Sequence, residues 1–214
     1  MHSASPFTRT VQDPQRDLVD PAVHGTRNVL QTANDVDTVE RVVLTSSVAA
    51  MTGDAKDIVR LPGRTVTEET WNTTSSLTRE PYSFSKTLAE KEAWRIEQGQ
   101  DRWSLVTINP GLVIGPALNA DPTSESFSIA RQMVSGQARF GAPRIAVAVV
   151  DVREVAYAHL AAAFLPKAQV SPQGPGAPPR HGGDHRHRRS RTQAPARLRG
   201  TVPTASPSCP ETYR

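Results

Sequence analysis

The sequence predicts a parallel α/β layer fold, and three observations predict it. Helical and strand-like stretches alternate from Asp20 to Leu165. The strand-like stretches are short, unbroken β-branched runs, the pattern of strands covered on both faces. The texture then changes at Pro166, because the last 49 residues hold nine of the chain's 18 prolines and almost no aliphatic periodicity. Such a stretch buries too little apolar surface to offset its ordering entropy. The expected division is therefore a folded unit over 1–165 and a disordered Pro/Arg-rich tail over 166–214.

The 214 residues suffice for one domain of ordinary size, and the low hydrophobic share of 37% fits a chain that packs only in part. The formal charge of +4 is unevenly spread. Lys167–Arg214 carries nine basic and two acidic residues, net +7, which leaves 16 basic and 19 acidic residues before it, net −3. The basicity belongs to the tail, which lacks the interleaved aromatics and folded platform of a nucleic-acid contact, so no nucleic-acid partner is expected. Cys209 is the one cysteine, so no internal disulfide can form. The opening MHSASPFTRT lacks the apolar core of a secretory signal. The longest apolar run, VAYAHLAAAFL, is too short to span a bilayer and contains His159. A cytoplasmic protein without a membrane partner is the expectation.

In chain order, Asp20-Pro21 gives a cap residue followed by a proline suited to the first helical position. Val23, Thr26, Leu30 and Ala33 form an apolar stripe that ends near Asn34-Asp35. A strand over Val42–Thr45 leads into Ser46-Ser47. Ala50 to Arg79 is polar and irregular, a loop long enough to be functional or disordered. A helix then carries Ala89, Ala93 and Ile96 on one side and stops near Gly99. Leu105–Ile108 is the next strand, closing with Asn109-Pro110-Gly111. A helix around Ser126–Val134, a strand within Ile145–Val152 and a helix from Arg153 to about Leu165 complete the alternation.

One helix holds the chemistry. Tyr82 and Lys86 stand four residues apart, just over one turn, and project from the same face. A neighbouring ammonium favours the phenolate and lowers a tyrosine pKa, making the phenol a usable proton donor. The pairing alone is common. Here Ser47 and Asn109-Pro110-Gly111 fall at the carboxyl ends of the flanking strands, where open α/β sheets form their ligand crevice. Three groups able to polarise a carbonyl, donate a proton and tune the donor thus converge on one edge. His24 and His159 read as packing or surface residues, and so do Trp71 and Trp94. His181, His185 and His187 lack a cysteine partner and an ordered frame, so no metal site is expected.

The segments HSASPF, DPAVHGTRNVL, RVVLTSSVAA, TEETW, PYSFSKTLAEKEAW, NPGLVIGP and VVDVREVAYAH, in that order, resemble the extended short-chain dehydrogenases/reductases. These belong to the NAD-dependent epimerase/dehydratase superfamily, and the wording is closest to its dihydroflavonol reductase and aldehyde/ketone reductase group. The resemblance implies a Rossmann-type, doubly wound parallel sheet and NADPH-dependent reduction of a small-molecule carbonyl, with NAD as the alternative cofactor. It assigns Tyr82 as the general acid, Lys86 as the group that tunes it and holds the nicotinamide ribose, and Ser47 as the holder of the carbonyl oxygen. Ser46 competes with Ser47 for that place. It sets Pro110 and Val113 near the nicotinamide and Ala4 and Ser5 along the cofactor cleft, and gives Asp151 and Arg153 a structural role. Nucleotide-sugar epimerases and dehydratases share the Ser, Tyr and Lys set, and an inactive fragment that only binds a partner is the contrasting reading.

The Gly-rich strand–turn–helix of such folds has no counterpart here. The expectation is therefore a partial sheet, truncated at both ends and lacking the first βαβ half, with weakened cofactor affinity. Val42–Thr45 would then present an apolar edge open to self-association.

Overall fold

The computed structural model describes residues 11–118, 124–136, 147–165 and 190–192. Its first long element is helix α1, Asp20–Asp35, which continues without a break from a π-helical turn at Gln15–Val19. Asp20 therefore does not cap α1. Its backbone is already helical, and its carboxylate accepts from Gln15 Nε2 at 2.5 Å. The buried stripe is Ala22, Thr26 and Leu30, one residue round from the expected Val23.

Strand β1, Arg41–Thr45, runs parallel to β2, Ser104–Ile108, with Val42 opposite Leu105 and Leu44 opposite Thr107. Between them in sequence lie the short helix α2, Ala55–Ile58, and the 18-residue helix α3, Pro81–Gln98. Residues Ser190–Thr192 of the tail form β5, parallel to β2 on the side away from β1. Among the described residues β1 carries no strand on its outer edge. The rest of the tail, and the cofactor-cleft candidates Ala4 and Ser5, lie outside the described residues.

Strand alternation sends neighbouring residues to opposite faces, and both faces are covered. Val42, Leu44 and Leu105 pack with Leu30 of α1 and Ala93 and Ile96 of α3, joined by Trp103. Val43, Val106 and Ile108 meet Ala162 of α5, Val152–Phe164, on the other face. Leu30, Leu105 and Ile108 are 0% exposed, so these two clusters are the core. Arg27 Nε donates to Glu92 at 2.8 Å and ties α1 to α3 on the outside. This is helix–sheet–helix layering, the doubly wound arrangement.

A second parallel pair, β3 (Leu112–Ile114) with β4 (Val149–Asp151), leaves the end of β2. Asp151 caps α5 by accepting from Arg153 N at 2.8 Å, and the Arg153 guanidinium grips the same carboxylate at 2.8 and 2.9 Å. Helix α4, Glu125–Val134, is opened by Ser124, whose hydroxyl accepts from Phe127 N. Gly111 lets β3 approach β4, because a Cβ there would stand 2.2 Å from the Ala148 carbonyl oxygen. Gly111→Ala must therefore move backbone, and a loss of about 1–3 kcal/mol is expected. Urea unfolding that left the midpoint unchanged would remove Gly111 from this role.

Candidate active site

The site forms where β1 and β2 end and α3 begins. The strand ends are stitched together past the last ladder pair, with Ser46 N donating to Ile108 O at 2.7 Å and Val48 N to Pro110 O at 3.0 Å. Ser47 and Asn109 are held side by side as a result, and Asn109 Nδ2 donates to Ser47 O at 3.1 Å. The Ser47 hydroxyl accepts from Ala49 N at 3.1 Å, which opens a 3₁₀ turn over Val48–Ala50.

The Ala50–Arg79 segment is irregular, as the sequence implies, but it is firmly attached. Buried Asn72 donates to Ala49 O at 2.9 Å and accepts from Thr74 N and Ser75 N at 3.1 Å each. It pins the loop to the turn that carries Ser47. Glu80 leads into α3 with φ 52°, left-handed backbone that a glutamate adopts only under constraint. Pro81 follows in the first turn, where its missing N–H costs nothing.

On α3 the structure brings Tyr82 to Ser47, whose side chain acts on the phenol to lower its pKa. Lys86 Nζ lies 5.6 Å from the centroid of the Tyr82 ring. Burial raises the Tyr82 pKa, and the Ser47 side chain only partly opposes that. This corrects the expectation that Lys86 dominates and lowers it. The ammonium sits over the ring, and loss of water around the phenol outweighs it. A phenol held protonated suits donation of a proton.

Lys86 is only 9% exposed, and desolvation lowers its pKa to about 8. Among the described residues it has no carboxylate within ion-pair distance. An ammonium so placed suits neutral hydroxyl groups rather than a protein counter-ion. The buried Asn109 Oδ1 likewise has no hydrogen-bond partner among the described residues. Pro110 is buried at the same strand end, and Val113 is half-buried in β3 opposite Val150.

Ser46 and Ser47 part company. Ser46 turns its hydroxyl away from Tyr82 and donates to Glu90 Oε2 at 2.5 Å. Glu90 is a buried carboxylate on α3 that sequence reasoning missed. Its signal was its spacing, since Tyr82, Lys86 and Glu90 follow one another at intervals of four. His159 is buried, with Nε2 2.7 Å from Thr45 Oγ1 and Nδ1 2.8 Å from Val155 O, which makes it a packing residue. Lys91 lies over the Trp71 ring, and Trp94 packs against the core. Among the described residues no group of three His, Cys, Asp or Glu could hold a metal ion, and no helix is long and apolar enough to cross a membrane.

A family profile described as the NAD dependent epimerase/dehydratase family matches residues 3–173, most of the chain. The chain belongs to this family. Within it, the chain is 40% identical over 164 residues to a cinnamoyl-CoA reductase of Medicago truncatula, covering 75% of this chain and 48% of that protein. It is 36% identical over 176 residues to an NADPH-dependent methylglyoxal reductase of Saccharomyces cerevisiae, covering 76% and 51%. The crystal structure of yeast methylglyoxal/isovaleraldehyde reductase complexed with NADPH superposes with a TM-score of 0.59 at 31% identity, over 75% of this chain and 51% of that one. The chain spans about half the length of the curated relatives it matches. The α/β fold with parallel strands is thus the family fold, described here in part.

Proposed function

We propose that this chain carries the proton-handling site of an NADP-dependent oxidoreductase that reduces a small-molecule aldehyde, ketone or dihydroflavonol-like carbonyl to the alcohol. The observation that carries the reading is the grouping of the Ser47 hydroxyl, the protonated Tyr82 phenol and the Lys86 ammonium at the carboxyl ends of parallel strands. The reductase relatives, one of them NADPH-dependent by name, favour this chemistry and NADP over NAD.

NADPH, when bound, supplies the hydride. Ser47 holds the carbonyl oxygen beside the phenol. Tyr82 transfers its proton to that oxygen as negative charge develops there, so the product leaves as a neutral alcohol. The Lys86 ammonium would hold the nicotinamide ribose hydroxyls, and its charge would stabilise the phenolate until solvent restores the proton. Pro110 and Val113 would present an apolar wall to the nicotinamide.

We place the protein in the cytoplasm, as a folded unit over 1–165 followed by a Pro/Arg-rich tail. The outer edge of β1 is read as a pairing surface for a second copy, so sedimentation velocity should show concentration-dependent association. The site itself is tested by titrating the chain with NADPH and following coenzyme fluorescence, then adding aldehydes and ketones and following loss of the reduced nicotinamide. Saturable binding with carbonyl-dependent consumption is expected. No binding at saturating NADPH would leave an inactive, binding-only fragment instead.

A further inference from the structure

We infer that Glu90 is a positioning residue that sets the register of the Tyr82–Lys86 helix against Ser47, an inference that rests on the site reading proposed above. Glu90 is 1% exposed and reaches off α3 to both strand ends at once. Oε2 accepts from Ser46 Oγ at 2.5 Å and from Asn109 Nδ2 at 2.7 Å, while Oε1 lies 3.3 Å from both Trp94 Nε1 and Thr107 Oγ1. The Trp94 and Asn109 groups can only donate, so each carboxylate oxygen receives at least one obligate donor.

The placement of two of those donors matters. Ser46 is the residue before Ser47, and the same Asn109 amide that meets Glu90 also donates to the Ser47 carbonyl at 3.1 Å. The serine is therefore held from both sides by one carboxylate, directly through its neighbour and indirectly through Asn109. Tyr82 and Lys86 stand two turns and one turn before Glu90 on the same helix. Any slide or roll of α3 would have to break these bonds. A general acid works only at hydrogen-bond distance from its target, and an ångström of displacement can cost about 100-fold in rate. Nothing in the proposed reaction requires a carboxylate, so this contact is for geometry.

The test compares wild type, Glu90→Gln and Asn109→Leu, the second because it removes the same link without altering α3. Tyr82 is observed through its ¹³Cζ resonance in tyrosine-labelled protein, assigned with Tyr82→Phe, and Ser47→Ala gives the position expected when the influence of Ser47 on the phenol is lost. Both variants should move the resonance toward the Ser47→Ala position, and combining Glu90→Gln with Ser47→Ala should move it no further. In turnover, kcat should fall about 10- to 100-fold while KM and NADPH affinity stay within about threefold. A Tyr82 resonance unmoved in folded Glu90→Gln, or additive in the double variant, overturns the inference. That readout needs no turnover, so absence of carbonyl reduction by wild type would sink the functional reading separately.

Discussion

Tyr82→Phe is expected to lower carbonyl turnover by about 10²- to 10⁴-fold while NADPH affinity changes by no more than a few-fold. The ring stays and the donor goes. The phenol is held protonated by burial and stands beside Ser47, the serine proposed above to hold the carbonyl oxygen. Without it the developing alkoxide would have to take its proton from water. Stability should change by only about 1 kcal/mol, the net worth of one hydrogen bond. Steady-state kinetics beside an NADPH titration separate the two effects, and turnover near the wild-type rate would take Tyr82 out of the donor role.

Lys86→Met is expected to abolish efficient turnover and yet stabilise the fold at neutral pH. Burial lowers the Lys86 pKa from 10.5 to about 8. Below about pH 8 both states carry the proton, and the folded state bears the full cost of a desolvated ammonium, up to about 3 kcal/mol. Between about pH 8 and 10.5 the unfolded chain binds more protons than the folded one, so this contribution to stability improves as pH rises. Methionine matches the length of the stem and removes the charge. The variant should therefore unfold at higher urea at pH near 7, and its advantage should vanish as pH approaches 10.5. Wild-type activity should decline as pH rises through about 8, where the ammonium is lost. A variant less stable than wild type at neutral pH would mean that Lys86 is already satisfied in the fold. Retaining a costly lysine is what a functional site does and a packing position does not.

The order of elements was legible because each local signal agreed with the next. The runs at Val42 and Leu105 are β-branched and unbroken, as strands covered on both faces must be, and both core clusters draw on them. That Tyr82 and Lys86 share one face of α3 was legible from their helical spacing, while their meaning needed the flanking strand ends. What the spacing could not provide was environment. Ser46 and Ser47 are equivalent in sequence, and only the strand alternation and the position of Glu90 send one hydroxyl away and leave the other to Tyr82. Glu90 itself reads as a solvated helix residue until Ser46, 44 residues earlier, and Asn109, 19 later, close on it. The upward pKa of Tyr82 was missed for the same reason, since desolvation is a property of packing rather than of neighbours in the chain. Asn72 escaped notice because a loop's composition records its polarity but not which residue anchors it. Asp20 misled in the opposite way, as a good cap residue overridden by a helical turn that begins before it.

The central claim is that Ser47, Tyr82 and Lys86 support net reduction of a carbonyl by NADPH. The most direct measurement supplies NADPH deuterated at the transferring position of the nicotinamide, with methylglyoxal or a related aldehyde, and examines the alcohol by mass spectrometry and NMR. The account predicts one deuterium on the carbinol carbon of the product, stoichiometric with coenzyme oxidised, and none of that product from Tyr82→Phe in the same time. An epimerase-type cycle leaves no net oxidation of the coenzyme. Deuterium retained in the coenzyme, or coenzyme oxidised without labelled alcohol, would contradict the account.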